Sequence, residues 1–127
     1  FPNRLCEIYD DFCQILDNWK PDALSIERLY FTNNQKTGID VAQARGIIIM
    51  AAAQRGIEIN EYTPLQVKQA VVGYGQAVKK QVQEMTKNIL KLPAVPKPDD
   101  TADALAMTIC HGQTSGSLLR NLRTSNI

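Results

Sequence analysis

Residues 22–31 read "DALSIERLYF", and the fold class turns on whether this stretch is a strand. It begins with small and β-branched residues, which predicts a strand with the carboxylate of Glu27 near its end. On its N-terminal side, Leu5, Ile8, Tyr9, Phe12, Cys13, Ile15, Leu16 and Trp19 recur at three- and four-residue steps. That spacing predicts an amphipathic helix from Pro2 to Trp19, closed by Pro21. On its C-terminal side a strongly helical stretch runs from Gln35 to Arg55, Gly56 stops it, and "IEINEY" reads as a second short strand. Thr63 and Pro64 form an N-cap and first-position pair for a helix to about Val71. "VVGYGQA" breaks it, since two glycines in three residues rarely sit inside a helix. Helix returns from Ala77 to Lys91, the proline-rich "LPAVPKP" connects, and a last helix runs from Asp99 or Asp100 to about His111.

The order αβαβααα makes this an α/β chain, yet it supplies only two convincing strands. Two strands flanked by apolar helices leave too much unpaired edge. The expectation is that the strands completing the sheet are missing ahead of Phe1, and an opening without Met points to a fragment. The polar, glycine-containing stretch 113–127 is expected to be a flexible tail.

With 127 residues, 44% of them hydrophobic, the chain fits one small domain with a real core. Fourteen Lys and Arg against thirteen Asp and Glu give no global argument for a nucleic-acid or acidic partner. The distribution says more. Residues 66–91 hold Lys68, Lys79, Lys80, Lys87 and Lys91 against Glu84 alone, whereas residues 1–22 hold Glu7, Asp10, Asp11, Asp17 and Asp22 against Arg4 and Lys20. Cys6, Cys13 and Cys110 are odd in number and lack C-x-x-C spacing, which argues against a disulfide framework or zinc knuckle; all three are expected to be buried small hydrophobes. No apolar run approaches a membrane span and the start shows no signal-peptide pattern, so a soluble, cytoplasmic protein is expected.

Asp100 and Asp103 are three apart, so both side chains lie on one helical face, and Ala102, Ala104 and Ala106 keep the surroundings open. Acids in a first turn, Asp99 included, are explained by capping and the helix dipole alone. Glu27 adds a third carboxylate from a separate element. Three such groups meet only around something positive, and a hard divalent cation such as Mg²⁺ is the usual reason. Two such ions, roughly 3.5–4 Å apart, would serve phosphodiester hydrolysis. Lys68, Lys79 and Lys80 are a solvated helix face taken alone, and a phosphate grip beside such a site. Tyr30 and Phe31 are core aromatics in the ordinary case and base-stacking platforms in the functional one. Gly38, Ala42 and Gly46, four apart on one helix face, let another backbone approach closely, either the chain's own sheet or a second subunit. His111, the sole histidine, reads as incidental.

"LSIERLYF", "AQARGIIIMAAAQRG", "EYTPLQVKQAVVGYGQAVKKQVQEM", "LKLPAVP" and "DDTADALAMTICH" together resemble, in order and spacing from about residue 20 to 112, the RuvC family of Holliday junction resolvases. The resemblance implies a ribonuclease H-like fold, a mixed sheet flanked by helices with its first three strands absent from this chain, over a partial nuclease domain at 1–112. It implies a homodimeric, Mg²⁺-dependent endonuclease with two ions per site, Mn²⁺ as a substitute, four-way junction DNA as substrate and branch-migration proteins as partners. The family's strand glutamate falls on Glu27, its paired late acids on Asp100 and Asp103, its two important lysines on Lys68 and Lys79, and its junction-binding aromatic on Tyr30. The helix of Gly38, Ala42 and Gly46 corresponds to the dimer helix. The family's leading aspartate, in a "GIDPG"-like motif, has no counterpart here, so this chain alone is expected not to cut. The alternatives are a catalytically incomplete junction-binding or dimerisation module, and another ribonuclease H-like nuclease.

Overall fold

The computed structural model describes residues 1–28 and 35–125; the side chains it describes exclude 35–37 and 116–125. Its elements run α1 (Pro2–Trp19), β1 (Ala23–Glu27), α2 (Gln35–Gln54), β2 (Glu58–Tyr62), α3 (Pro64–Val72), α4 (Lys79–Leu90) and α5 (Asp99–Ser125). The expected order of elements is present. Two compact units divide the chain, Phe1–Asn60 and Glu61–Ile127.

In the first unit, α1 packs on α2 through Leu16, Ala51 and Ala52, all buried, with Tyr9, Phe12, Cys13, Leu24, Ile57 and Ile59 around them. Alanines at the contact let the helix axes come close, so a short apolar seam suffices. β1 and β2 form the two-stranded sheet of the described residues. The Glu58 N–H, at the start of β2, donates to the Asp22 carbonyl just ahead of β1 at 3.4 Å. The two strand starts therefore lie side by side, and the pair is parallel, as a crossover through a long helix requires. Arg55 closes the far end of α2. Its guanidinium donates to both carboxylate oxygens of Asp17 in α1, at 2.7 and 3.2 Å, and to the Ala51 carbonyl at 3.0 Å. The hydrogen bond from Arg55 holds the Asp17 carboxyl below the usual carboxylate range, and the same contact raises Arg55.

In the second unit, Tyr62, Val67, Val71, Ala106, Ile109 and Cys110 make the core. They join the start of the unit to α3 and to one face of α5. α4 packs on both of those helices. α3 begins with a complete capping box: the Thr63 hydroxyl accepts from the Gln66 N–H at 3.2 Å and the Gln66 side chain accepts from the Thr63 N–H at 2.8 Å. α4 has only half of that device. Gln81 accepts from the Val78 N–H at 2.8 Å, while Val78 itself carries no acceptor. Consequently α4 starts at Lys79 rather than Ala77, and Ala77 is buried beneath the turn that precedes it.

Three expectations are corrected. The stretch from 113, expected to be a loose tail, is helical to Ser125. It contains no proline, and the Thr114 hydroxyl returns to the Cys110 carbonyl at 2.9 Å, so nothing local ends the helix at His111. Second, Cys6 is exposed and Cys13 half-buried, so only Cys110 is a buried thiol, and burial raises its pKa. Third, Gly46 is exposed, and a Cβ built there meets nothing within 4 Å, which removes packing on the chain's own sheet as the reason for a small residue at that position.

Thr63→Ala removes the hydroxyl half of the α3 capping box and should lower unfolding stability by about 1 kcal/mol, read as a shifted urea midpoint at unchanged slope.

Candidate nucleic-acid and metal-binding site

α5 carries the acids. Its helical period sends Ala102, Ala106, Ile109 and Cys110 into the core, which leaves Asp99, Asp100 and Asp103 exposed. Asp99 and Asp103 lie four apart, one turn above the other, and Asp100 lies beside them. From α4, the Lys79 ammonium stands 3.5 Å from the Asp99 carboxylate and 3.8 Å from that of Asp103. One cation is thus shared by two carboxylates on successive turns. All three side chains are more than half exposed, so the arrangement contributes little to stability and leaves the acids accessible.

Glu27 is the last residue of β1 and is exposed. Its backbone carbonyl accepts from Arg45 Nε of α2 at 3.2 Å, which fixes the strand end from which the carboxylate projects. Glu27 belongs to the first unit, and Asp100 and Asp103 belong to the second. Among the described residues no group of three or more His, Cys, Asp or Glu side chains stands ready to hold a metal ion. The donor set nevertheless suits a hard cation: oxygens only, exposed, and on a pair of turns that already attracts an ammonium. A Mg²⁺-type ion, which keeps several waters, needs only one or two protein carboxylates.

Of the expected phosphate contacts, Lys79 and Lys80 are exposed and Lys68 on α3 is half-buried. They share the second unit with the acids. Tyr30 and Phe31 lie outside the described residues. On α2, Gly38 and Ala42 are half-buried and Gly46 is exposed, with Ile39, Val41 and Met50 exposed on the same helix.

Two residues gain roles that the sequence reading did not give them. Asp99 holds Lys79, and its four-residue spacing from Asp103 was the available signal. His111, taken as incidental, is engaged at both ring nitrogens: Nδ1 lies 2.6 Å from the Tyr62 hydroxyl and Nε2 lies 3.1 Å from the Ser115 hydroxyl. It ties α5 to the end of β2. That is a structural duty, and it leaves His111 no part at the acids.

A family model described as crossover junction endodeoxyribonuclease RuvC matches residues 1–111. A protein of that name from Ruminiclostridium cellulolyticum is 55% identical over 97% of this chain and 75% of its own length. Its counterpart from Halothermothrix orenii is 54% identical over 88% of this chain and 68% of its own. The structure of Thermus thermophilus RuvC superposes with a TM-score of 0.80 at 34% identity, covering 87% of this chain and 66% of that one. A structure of the same protein in complex with Holliday junction substrate gives 0.82 at 34% identity, covering 87% and 67%. The chain thus spans about two-thirds to three-quarters of the length of these relatives. The fold is ribonuclease H-like, as expected.

Because its ion pairs are so exposed, Lys79→Met should change unfolding stability by less than about 1 kcal/mol, measured by urea denaturation.

Proposed function

Because this chain belongs to the RuvC family of crossover junction endodeoxyribonucleases, we propose that it serves a structure-selective DNA endonuclease that resolves four-way (Holliday) junctions in recombination and repair by metal-dependent phosphodiester hydrolysis. The observation that carries the reading is the Lys79 ammonium held between Asp99 and Asp103. It marks an exposed edge where negative potential gathers cations, on a chain whose structural neighbour holds a Holliday junction.

Glu27, Asp100 and Asp103 are the residues assigned to hold Mg²⁺, two ions per site, with Mn²⁺ as the substitute. Bound there, the metal supplies activation of a water and charge compensation at the leaving oxygen. The chain's own residues do the rest. Lys68, Lys79 and Lys80 grip the phosphate backbone. Tyr30 and Phe31 contact bases near the branch point. The exposed small residue Gly46, with Ala42 and Gly38 one and two turns before it, forms the interface of a homodimer that brings two such sites to a symmetric junction. The protein is assigned to the cytoplasm, beside branch-migration proteins of the same pathway; no helix among the described residues is long and apolar enough to cross a membrane.

A second reading, a junction-binding module that does not cut, is favoured by the lack of three gathered carboxylates among the described residues. A labelled four-way junction incubated with the protein at low salt, with and without Mg²⁺, separates the two. Paired nicks that need Mg²⁺ support the nuclease; binding without nicks supports the module.

Asp100→Asn in the full-length protein should abolish cleavage while leaving junction affinity nearly unchanged, measured by nicking and gel-shift assays side by side. Lys79→Ala should weaken junction binding and reduce the slope of log affinity against log salt by about 1; an unchanged slope would remove Lys79 from the phosphate contacts.

A further inference from the structure

We propose that Tyr74 is a stacking platform for an unpaired base of the bound DNA, an inference that rests on the nucleic-acid reading above and adds a contact to it. Tyr74 sits in the turn between α3 and α4 and is 57% exposed. Its side chain makes no hydrogen bond, ion pair or ring contact with any described residue. Tyr9 and Tyr62 behave differently: the Tyr9 hydroxyl donates to Gln54 at 2.7 Å and that of Tyr62 meets His111.

The backbone around Tyr74 is held on both sides. Gly73, at φ 82, adopts the left-handed conformation that ends α3, and its N–H bonds to the Gln69 carbonyl at 2.9 Å. At Gly75 the chain presses so closely on α3 that a Cβ would fall 2.5 Å from Leu65 Cδ1 and 3.4 Å from the Gln69 amide nitrogen. The Ala77 N–H then closes the turn on the Tyr74 carbonyl at 3.2 Å, and Ala77 itself is buried. A ring carried between two such glycines is presented by an ordered backbone, so little backbone entropy remains to be lost when something stacks on it.

The surroundings select the occupant. Leu65 and Val78, both exposed, add apolar surface beside the turn. Residues 66–91 hold five lysines against one acid, and Lys79 begins the helix that follows the turn. An apolar protein segment would gain from the ring and the aliphatic side chains but not from the lysines. A nucleotide with an unstacked base uses both, its π-face on the ring and its phosphate on an ammonium such as that of Lys80, exposed in the first turn of the following helix. Bases at a junction's branch point are the ones free to unstack.

The test uses full-length protein, a four-way junction and a short single strand, each carrying 2-aminopurine, and an intact duplex as control. Tyr74→Ala should weaken binding of junction and single strand by about 5- to 150-fold, which is the range for loss of one base–aromatic stack. It should also abolish the 2-aminopurine quench, with duplex affinity held within twofold. Tyr74→Phe should restore both. Unchanged junction and single-strand affinity in Tyr74→Ala, or an equal fall for duplex, would overturn the proposal. Cleavage by the unmodified protein is scored separately, so a protein that quenches 2-aminopurine through Tyr74 but never nicks refutes the nuclease and leaves the stacking platform standing.

Discussion

The second unit depends on the burial of one narrow, small-residue face of α5. Ala102 and Ala106 are almost fully buried, with Ile109 and Cys110 continuing the stripe. Alanine at the closest contacts lets α3 and α4 both come near the same helix. Larger side chains there would push those helices apart. The same 3.6-residue period that buries the stripe fixes Asp99, Asp100 and Asp103 on exposed ground, so the position of the acids is a consequence of how the core packs. His111 reinforces that register from the far side by bonding Tyr62 at one nitrogen and Ser115 at the other.

Electrostatics then organises the exposed edge. Lys79 is the first residue of α4, and the packing of α4 on α5 brings its ammonium to Asp99 and Asp103. An exposed pair of this kind contributes at most about 1 kcal/mol, so its significance is positional. It keeps a cationic group beside carboxylates assigned to a metal. With a cation bound at the carboxylates, a phosphate approaching this edge would meet Lys79 as a second, already ordered positive charge.

Much of this was legible in the sequence because the signals are local. The three- and four-residue recurrence from Leu5 to Trp19 gave α1, Thr63 with Pro64 gave the start of α3, and the pair of glycines at 73 and 75 gave the break after it. Asp100 and Asp103 stood out as acids on one face. What escaped depends on contacts between elements. Nothing within residues 97–111 shows that Lys79 arrives from another helix to pair with Asp99, or that His111 meets a tyrosine 49 residues away. Tyr74 reads in sequence only as part of a break, since the approach of Gly75 to Leu65 exists only after folding. The end of α5 was misjudged for the opposite reason: polar residues and single glycines weaken a helix without stopping it, and this one continues to Ser125.

The central proposal is that the acid edge of α5, Asp100 with Asp103, holds a divalent cation. Anomalous diffraction from crystals of the full-length protein soaked in Mn²⁺ tests it most directly. The account predicts anomalous density bonded to carboxylate oxygens of Asp100 and Asp103, with Lys79 displaced from Asp103 and retained by Asp99. Manganese bound elsewhere, with Lys79 still bridging Asp99 and Asp103 at saturating metal, would contradict it.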